Sequence, residues 1–140
     1  MKVNQTIPVL LMLIITMASC ERKGSQANGE RLETAVIKLS PDEFRSKLSS
    51  TNDAVLIDVR KPEEVAEGKI EGAVNIDYTD SSFAQKIGEL DKSKPYFVYC
   101  KSGKRSSDAA QEMQKLGFEN IIVLEGGYVQ WLEHEVEHNH

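Results

Sequence analysis

Cys100 is the residue of this chain best placed to do chemistry. It closes a short apolar run, Tyr96-Phe97-Val98-Tyr99-Cys100, and Lys101-Ser102-Gly103-Lys104-Arg105-Ser106 follows it. The run reads as a buried strand, residues 101–104 as a loop, and Arg105 as the opening of a helix. A thiol at the mouth of a strand, facing a helix N-terminus, sits where amide N–H groups and the helix dipole favour negative charge. Lys101, Lys104 and Arg105 add three positive charges within the next five residues. Each effect favours the thiolate, the nucleophilic form of cysteine. Gly103 lets the backbone curl so that several N–H groups converge on one point. The competing reading is a buried structural cysteine, which is common at the end of a core strand. The glycine and the three cations set this one apart.

The elements that must hold this loop alternate along the chain. Residues 35–39, 54–59, 73–76, 96–100 and 121–124 read as strands. The run Ala54-Val55-Leu56-Ile57-Asp58-Val59 is apolar except for Asp58, as in a strand covered on both faces. Helices are expected over 41–49, 82–90, 105–116 and 128–136. Ser40-Pro41-Asp42-Glu43 combines an N-cap Ser, Pro at the first helical position and a capping-box Glu. Phe44 and Leu48 share one face of the first helix, and Phe83, Ile87 and Leu90 one face of the second. Ala109, Ala110, Met113 and Leu116 are expected to point inward from the third, which stops at Gly117. Gly126-Gly127 makes a tight turn before the last helix, where Tyr128 and Trp131 are expected in the core or a pocket wall. Strands alternating with helices imply a mostly parallel five-stranded sheet with helices on both faces. Ligands of such sheets gather at the carboxyl ends of the strands, where Cys100 lies.

Two further side chains belong to this end of the sheet. Asp58 ends a strand that could neighbour the cysteine strand, so its carboxylate is expected under the loop. Arg60 is expected to pair with Glu64 and fix the turn after that strand. Both are read as supports of the site. The histidines, His134, His138 and His140, all fall in the last seven residues, which leaves no general base for a Cys–His hydrolase. Among Glu133, Glu135 and Glu137 they could bind a metal adventitiously, but a solvated chain end is the expected reading, with 138–140 as the tail beyond the domain, and neither a metal site nor a cofactor is expected.

The start of the chain has a different character. Residues 7–18 form an uncharged, mostly apolar stretch after Lys2. As a helix this stretch is about 18 Å long, too short for a bilayer core of roughly 30 Å and suited to a signal peptide. Met17-Ala18-Ser19-Cys20 resembles the bacterial lipobox, with Met17 at a position where Leu is more usual. Residues 1–19 are therefore expected to be a signal, Cys20 a lipidated residue, 20–34 a polar tether and 35–137 the folded domain. Such a protein is exported and lipid-anchored to a bacterial membrane, facing the periplasm. Simple secretory cleavage with Cys20 free is the alternative. With Cys20 lipidated, Cys100 has no disulfide partner. The net charge is −5, and −6 without residues 1–19, which argues against nucleic acid as a partner.

Residues 35–137 resemble a single rhodanese domain. Leu56-Ile57-Asp58-Val59-Arg60 with Glu64, Gly68, Ile70, Gly72, Ala73 and Asn75 is similar to that family's first signature. The run from Cys100 to Ser106 resembles its active-site loop, and Leu124-Glu125-Gly126-Gly127 with Trp131 its closing signature. Lys69 departs from the family's frequent His after the glycine at 68, a position that supports the loop rather than the chemistry. The resemblance implies a sulfurtransferase. Cys100 takes sulfur from a small anionic donor such as thiosulfate and passes it from a persulfide to cyanide, a thiol or a protein acceptor. Lys101, Ser102, Gly103, Lys104 and Arg105 would bind the donor and the persulfide.

Three rivals share the fold. Phosphatases of this type need five residues between cysteine and arginine, so that the loop encircles a phosphoryl group. Cys100 and Arg105 are separated by four, which leaves room for a single sulfur atom. Arsenate reduction is less firmly excluded by that spacing. A sulfur carrier or interaction module without turnover is the rival from outside enzymology, and the presence of Cys100 argues against an inert scaffold.

Overall fold

The computed structural model describes residues 34–138. The expected signal, Cys20, the tether up to residue 33, and His140 lie outside the described residues. The elements run in the order β1 (Val36–Leu39), α1 (Pro41–Ser50), β2 (Val55–Asp58), α2 (Pro62–Ala66), β3 (Val74–Asn75), α3 (Phe83–Gly88), β4 (Pro95–Tyr99), α4 (Lys104–Lys115), β5 (Asn120–Leu124) and α5 (Gly127–His138). The strands form one sheet in the order β1-β5-β4-β2-β3, and every pairing is parallel.

The two-residue period of the strands divides the core into two layers. Ile57, Val59, Tyr96, Val98, Cys100, Ile121 and Val123 pack with Ala109, Ala110 and Met113 of α4 and Phe83 and Ile87 of α3. Leu56, Phe97, Tyr99, Ile122 and Leu124 face the other way, against Phe44 of α1 and Trp131 of α5. Helices therefore cover both faces, as the apolar runs of the central strands require. α1 begins as its sequence predicts: the Glu43 carboxylate accepts from Ser40 N at 3.1 Å and Ser40 Oγ at 2.7 Å.

Two expectations about elements need correction. α2 was not expected, because a five-residue helix with no buried side chain carries no apolar period. Its signal is Pro62 followed by Glu63 and Glu64, a helix start written in capping chemistry. Leu116 does not point inward; it follows the last turn of α4 and is 36 % exposed, while Phe118 takes the core position.

The topology fixes where a ligand would sit. β2 and β4 are neighbours. The chain leaving β4 runs to α4 on one face, whereas the chain leaving β2 sends Ile70 and Ala73 into the layer on the other. Connections that part in this way open a crevice at the carboxyl ends of the two strands. Cys100 immediately follows β4, and Val59 and Arg60 follow β2.

Candidate active site

Cys100 is buried, with 1 % of its surface exposed. Its Sγ accepts a hydrogen bond from Gly103 N at 3.1 Å and lies 3.4 Å from Ser106 Oγ. Gly103 can present its N–H there because it adopts φ +100 at the N-cap of α4, a conformation that costs other residues strain. Ser106 is buried, and its Oγ also reaches Gly103 O at 3.1 Å. A hydroxyl has one proton and two lone pairs, so Ser106 can donate to the sulfur when it is anionic and to the carbonyl otherwise.

The loop's carbonyls are turned away from the sulfur by α5. Tyr128 N donates to Cys100 O at 2.8 Å and Val129 N to Lys101 O at 3.1 Å. In a trans peptide the N–H points opposite to the C=O. Tying those two carbonyls to α5 therefore aims the N–H groups of Lys101 and Ser102 away from it, into the loop. The approach is so close that a Cβ on Gly127 would lie 2.6 Å from Cys100 O and from the Lys101 carbonyl. The Gly126-Gly127 turn is thus the seat of the loop as well as the start of a helix.

Asp58 and Arg60 form a buried pair, correcting the expected pairing of Arg60 with Glu64. Arg60 Nη2 meets Asp58 Oδ2 at 2.6 Å, and Arg60 Nε meets Oδ1 at 3.0 Å. The geometry favours Asp58 because the two side chains, two residues apart, turn toward the same face past the end of β2. Arg60 reaches only the backbone of Glu64, at 3.4 Å, and also donates to Gly68 O at 2.8 Å. Its guanidinium lies 4.3 Å from the centre of the Tyr128 ring. Asp58 shares its face with its strand partner Tyr99, whereas the Cys100 thiol belongs to the opposite layer. The carboxylate is therefore not beneath the sulfur. It supports the loop through Arg60, Tyr99 and Tyr128. Burial first, then Asp58, pushes the Tyr99 hydroxyl's pKa up, so it stays protonated.

Arg105 is held by Glu64. Nη1 and Nη2 bond the two carboxylate oxygens at 2.7 and 2.8 Å. Arg105's hydrogen bonds hold the Glu64 carboxyl down at a pKa of about 2, against the resistance of burial. Lys101 and Ser102 are exposed. Lys104 is 84 % exposed and leans on Asp108 at 3.4 Å. Of the five expected loop residues only Gly103 contacts the thiol, through its N–H, while the side chains of Lys104 and Arg105 are paired with Asp108 and Glu64. Lys69 is exposed and donates to Ala73 O at 3.2 Å, a loop-supporting contact.

Three residues have roles that the sequence reading did not give them: Ser106 and Asn75, named there only within motifs, and Glu64, expected to hold Arg60 rather than Arg105. Ser106 could have been found as the sixth residue after Cys100, one turn into its helix. Glu64 and Asn75 act through folding: Asn75 Nδ2 donates to Asp58 O and Arg60 O at 2.9 and 2.8 Å, fastening the end of β2. A cavity of about 410 Å³ opens beside the same loop, lined by Lys38, Lys104, Asp108 and Glu125 among others, but Cys100 does not line it. Among the described residues no group of three His, Cys, Asp or Glu side chains is placed to hold a metal ion.

Comparison with known proteins places this geometry. Residues 40–134 match the family model described as Rhodanese-like domain. The Bacillus subtilis (strain 168) protein YtwF is 38 % identical over 94 residues, which cover 67 % of this chain and 88 % of that one. A sulfurtransferase of Allochromatium vinosum is 28 % identical over 99 residues, covering 71 % of this chain and 91 % of its own. The human single-domain sulfurtransferase superposes with a TM-score of 0.59 at 30 % identity, over 71 % of this chain and 97 % of that one. These likenesses support sulfur transfer as the general activity.

Proposed function

The chain belongs to the rhodanese-like domain family, and from that membership we propose that it is a sulfurtransferase working through a persulfide on Cys100. The thiolate attacks the terminal sulfur of a sulfane donor. A new S–S bond forms as the donor's own S–S bond breaks, and the electron pair leaves on the inner sulfur, as sulfite when the donor is thiosulfate. The product, Cys–S–S⁻, keeps the single negative charge that the thiolate had. An acceptor nucleophile, a thiolate or cyanide, then attacks the outer sulfur and Cys100 leaves as thiolate. No oxidant and no cofactor enters this balance.

The observation that carries the reading is the Gly103 N–H at 3.1 Å from a buried Sγ with Ser106 Oγ at 3.4 Å. Donors fixed in place around an anion act without reorganising during the reaction. The Lys101 and Ser102 N–H groups, turned inward by α5, extend the same cradle toward the outer sulfur. A thiol with 1 % exposure also suits a donor that presents one terminal atom rather than a bulky group. The test is to treat the purified protein with thiosulfate, remove excess donor, and measure cyanide-labile sulfur. The wild type should carry about one per chain and Cys100→Ser none. Equal labile sulfur in both would end the mechanism. Loading without turnover would make the protein a sulfur carrier.

The start of the sequence supports a location for this activity. We propose that Cys20 carries lipid and that the domain works at a bacterial membrane, facing the periplasm. Met17-Ala18-Ser19-Cys20 follows a short apolar run and precedes a polar segment. A lipidated N-terminus with more than one acyl chain holds a protein stably, at about 0.8 kcal/mol per buried CH₂.

A further inference from the structure

We infer that Glu64 sets the donor specificity of this site: it holds Arg105 within the protein, so that sulfane donors with one negative charge are taken in preference to dianionic ones. The inference rests on the sulfurtransferase reading and concerns which donors that chemistry admits.

Arg105 is the loop cation nearest the interior. Lys101 and Lys104 are exposed, whereas the Arg105 side chain is 25 % exposed and directly precedes Ser106, whose hydroxyl reaches the sulfur. A free guanidinium there would be the natural partner of the charged sulfonate head of a dianionic donor. It is not free. Both terminal nitrogens bond the Glu64 carboxylate in a two-pronged pair, at 2.7 and 2.8 Å. Glu64 is itself fixed: its Oε2 accepts from Lys61 N at 3.1 Å and its backbone carbonyl accepts from Arg60 Nη1 at 3.4 Å. The Arg105 guanidinium pKa is raised by its hydrogen bonds to Glu64 first, against burial, and Cys100 and then Asp77 add smaller electrostatic contributions. A dianion must therefore displace a well-anchored carboxylate or approach without this cation. A monoanion with a neutral body loses much less by its absence, and the backbone N–H cradle still meets its terminal sulfur.

Thiosulfate and methanethiosulfonate separate these cases. Both deliver a terminal sulfur and leave the same Cys100 persulfide, one releasing sulfite and the other methanesulfinate, so the second step is shared. With cyanide as acceptor, kcat/KM is measured for each donor in wild type, Glu64→Gln and the double variant Glu64→Gln/Arg105→Gln. The thiosulfate-to-thiosulfonate ratio should rise about tenfold in Glu64→Gln, the lower end of what one charge-assisted contact supplies. It should return to within about threefold of wild type in the double variant, whose local charge again sums to zero. An unchanged ratio in Glu64→Gln overturns the inference. So does a raised ratio that persists in the double variant, since Arg105 would then not be the group released. If Glu64→Gln does not fold, the Nε–H resonance of Arg105 is followed by NMR in Cys100→Ser as thiosulfate is added. An unmoved resonance supports the held pair, and a shift at saturation refutes it. Wild type inactive with both donors would instead refute sulfur transfer itself, and this specificity with it.

Discussion

The seat of the loop on Gly127 can be tested by adding one methyl group. A Cβ at Gly127 would meet Cys100 O, Lys101 C and Lys101 O at 2.6 Å, all backbone atoms that no rotamer change can move aside. Its φ of +65 adds left-handed strain. Gly72 supplies the control, because its φ is +82 yet nothing lies within 4 Å of its added Cβ. Gly72→Ala should therefore cost only the backbone term, about 1–2 kcal/mol. Gly127→Ala should add about 1–3 kcal/mol for overpacking. Loosening the Tyr128 N and Val129 N bonds to the loop adds about 1 kcal/mol for each bond lost. With both bonds lost the expected total is about 4–7 kcal/mol, which at roughly 1.5 kcal/mol per molar urea moves the midpoint down by about 3–5 M. The second readout is sulfur loading, because a loop lifted from α5 no longer aims the Lys101 and Ser102 N–H groups inward. Loading should slow at least tenfold in Gly127→Ala and stay near wild type in Gly72→Ala, both measured without urea. Equal denaturation midpoints and equal loading rates in the two variants would refute the close seat.

Ser106→Ala should slow persulfide formation by about tenfold, since a hydrogen bond to an ionised group contributes about 1.5–3 kcal/mol; an unchanged single-turnover rate would leave the Gly103 N–H as the sulfur's working donor. Asp58→Asn breaks a buried ion pair without changing its size and should cost about 3–5 kcal/mol in a denaturation experiment, and a loss under 1 kcal/mol would mean that Arg60 finds other partners. Glu64 gives a pH dependence with a definite sign. Its folded pKa of about 2 lies below the ordinary 4.5, so its contribution is complete above pH 4.5 and is lost as pH falls toward 2. With about a quarter of each side chain in contact with water, that contribution is about 1–2 kcal/mol. The stability gap between wild type and Glu64→Gln should therefore close on acidification, and a gap that is constant from pH 6 to pH 2.5 contradicts the assignment. Fractionating cells that express wild type and Cys20→Ala checks the anchor: fatty-acid label and membrane association should be lost together.

Much of the fold is legible in the sequence because each core element carries its own period. Ile57, Val59 and Leu56 divide between two layers by alternation alone, and Phe44 and Met113 mark helix faces by spacing. What escapes is what has no period. α2 buries nothing and is written only in its start signals, Pro62, Glu63 and Glu64. Leu116 continues the apolar spacing of α4 by one step, but the helix has ended at Lys115 and Phe118 fills the core instead. Local pattern marks the spacing of a face; it does not mark the residue at which the chain leaves it.

The site divides along the same line. The nucleophile, the glycine and the helix start are contiguous, so Cys100, Gly103 and the opening of α4 could be read together. Charge partners cannot be read that way. Three cations after a cysteine suggest a site that draws anions, but a charge in sequence is not yet a charge in the pocket. Lys104 turns to Asp108, and Arg105 meets Glu64 from 41 positions upstream. Arg60 illustrates the same point within five residues, choosing Asp58 over the side chain of Glu64. Only the fold decides which carboxylate reaches which guanidinium first. The sulfur itself meets the Gly103 N–H and the Ser106 hydroxyl, donors whose strength does not depend on which carboxylate holds the loop's cations. On the proposed reading, the carboxylate on α2 adjusts donor choice through its hold on Arg105, without touching the sulfur.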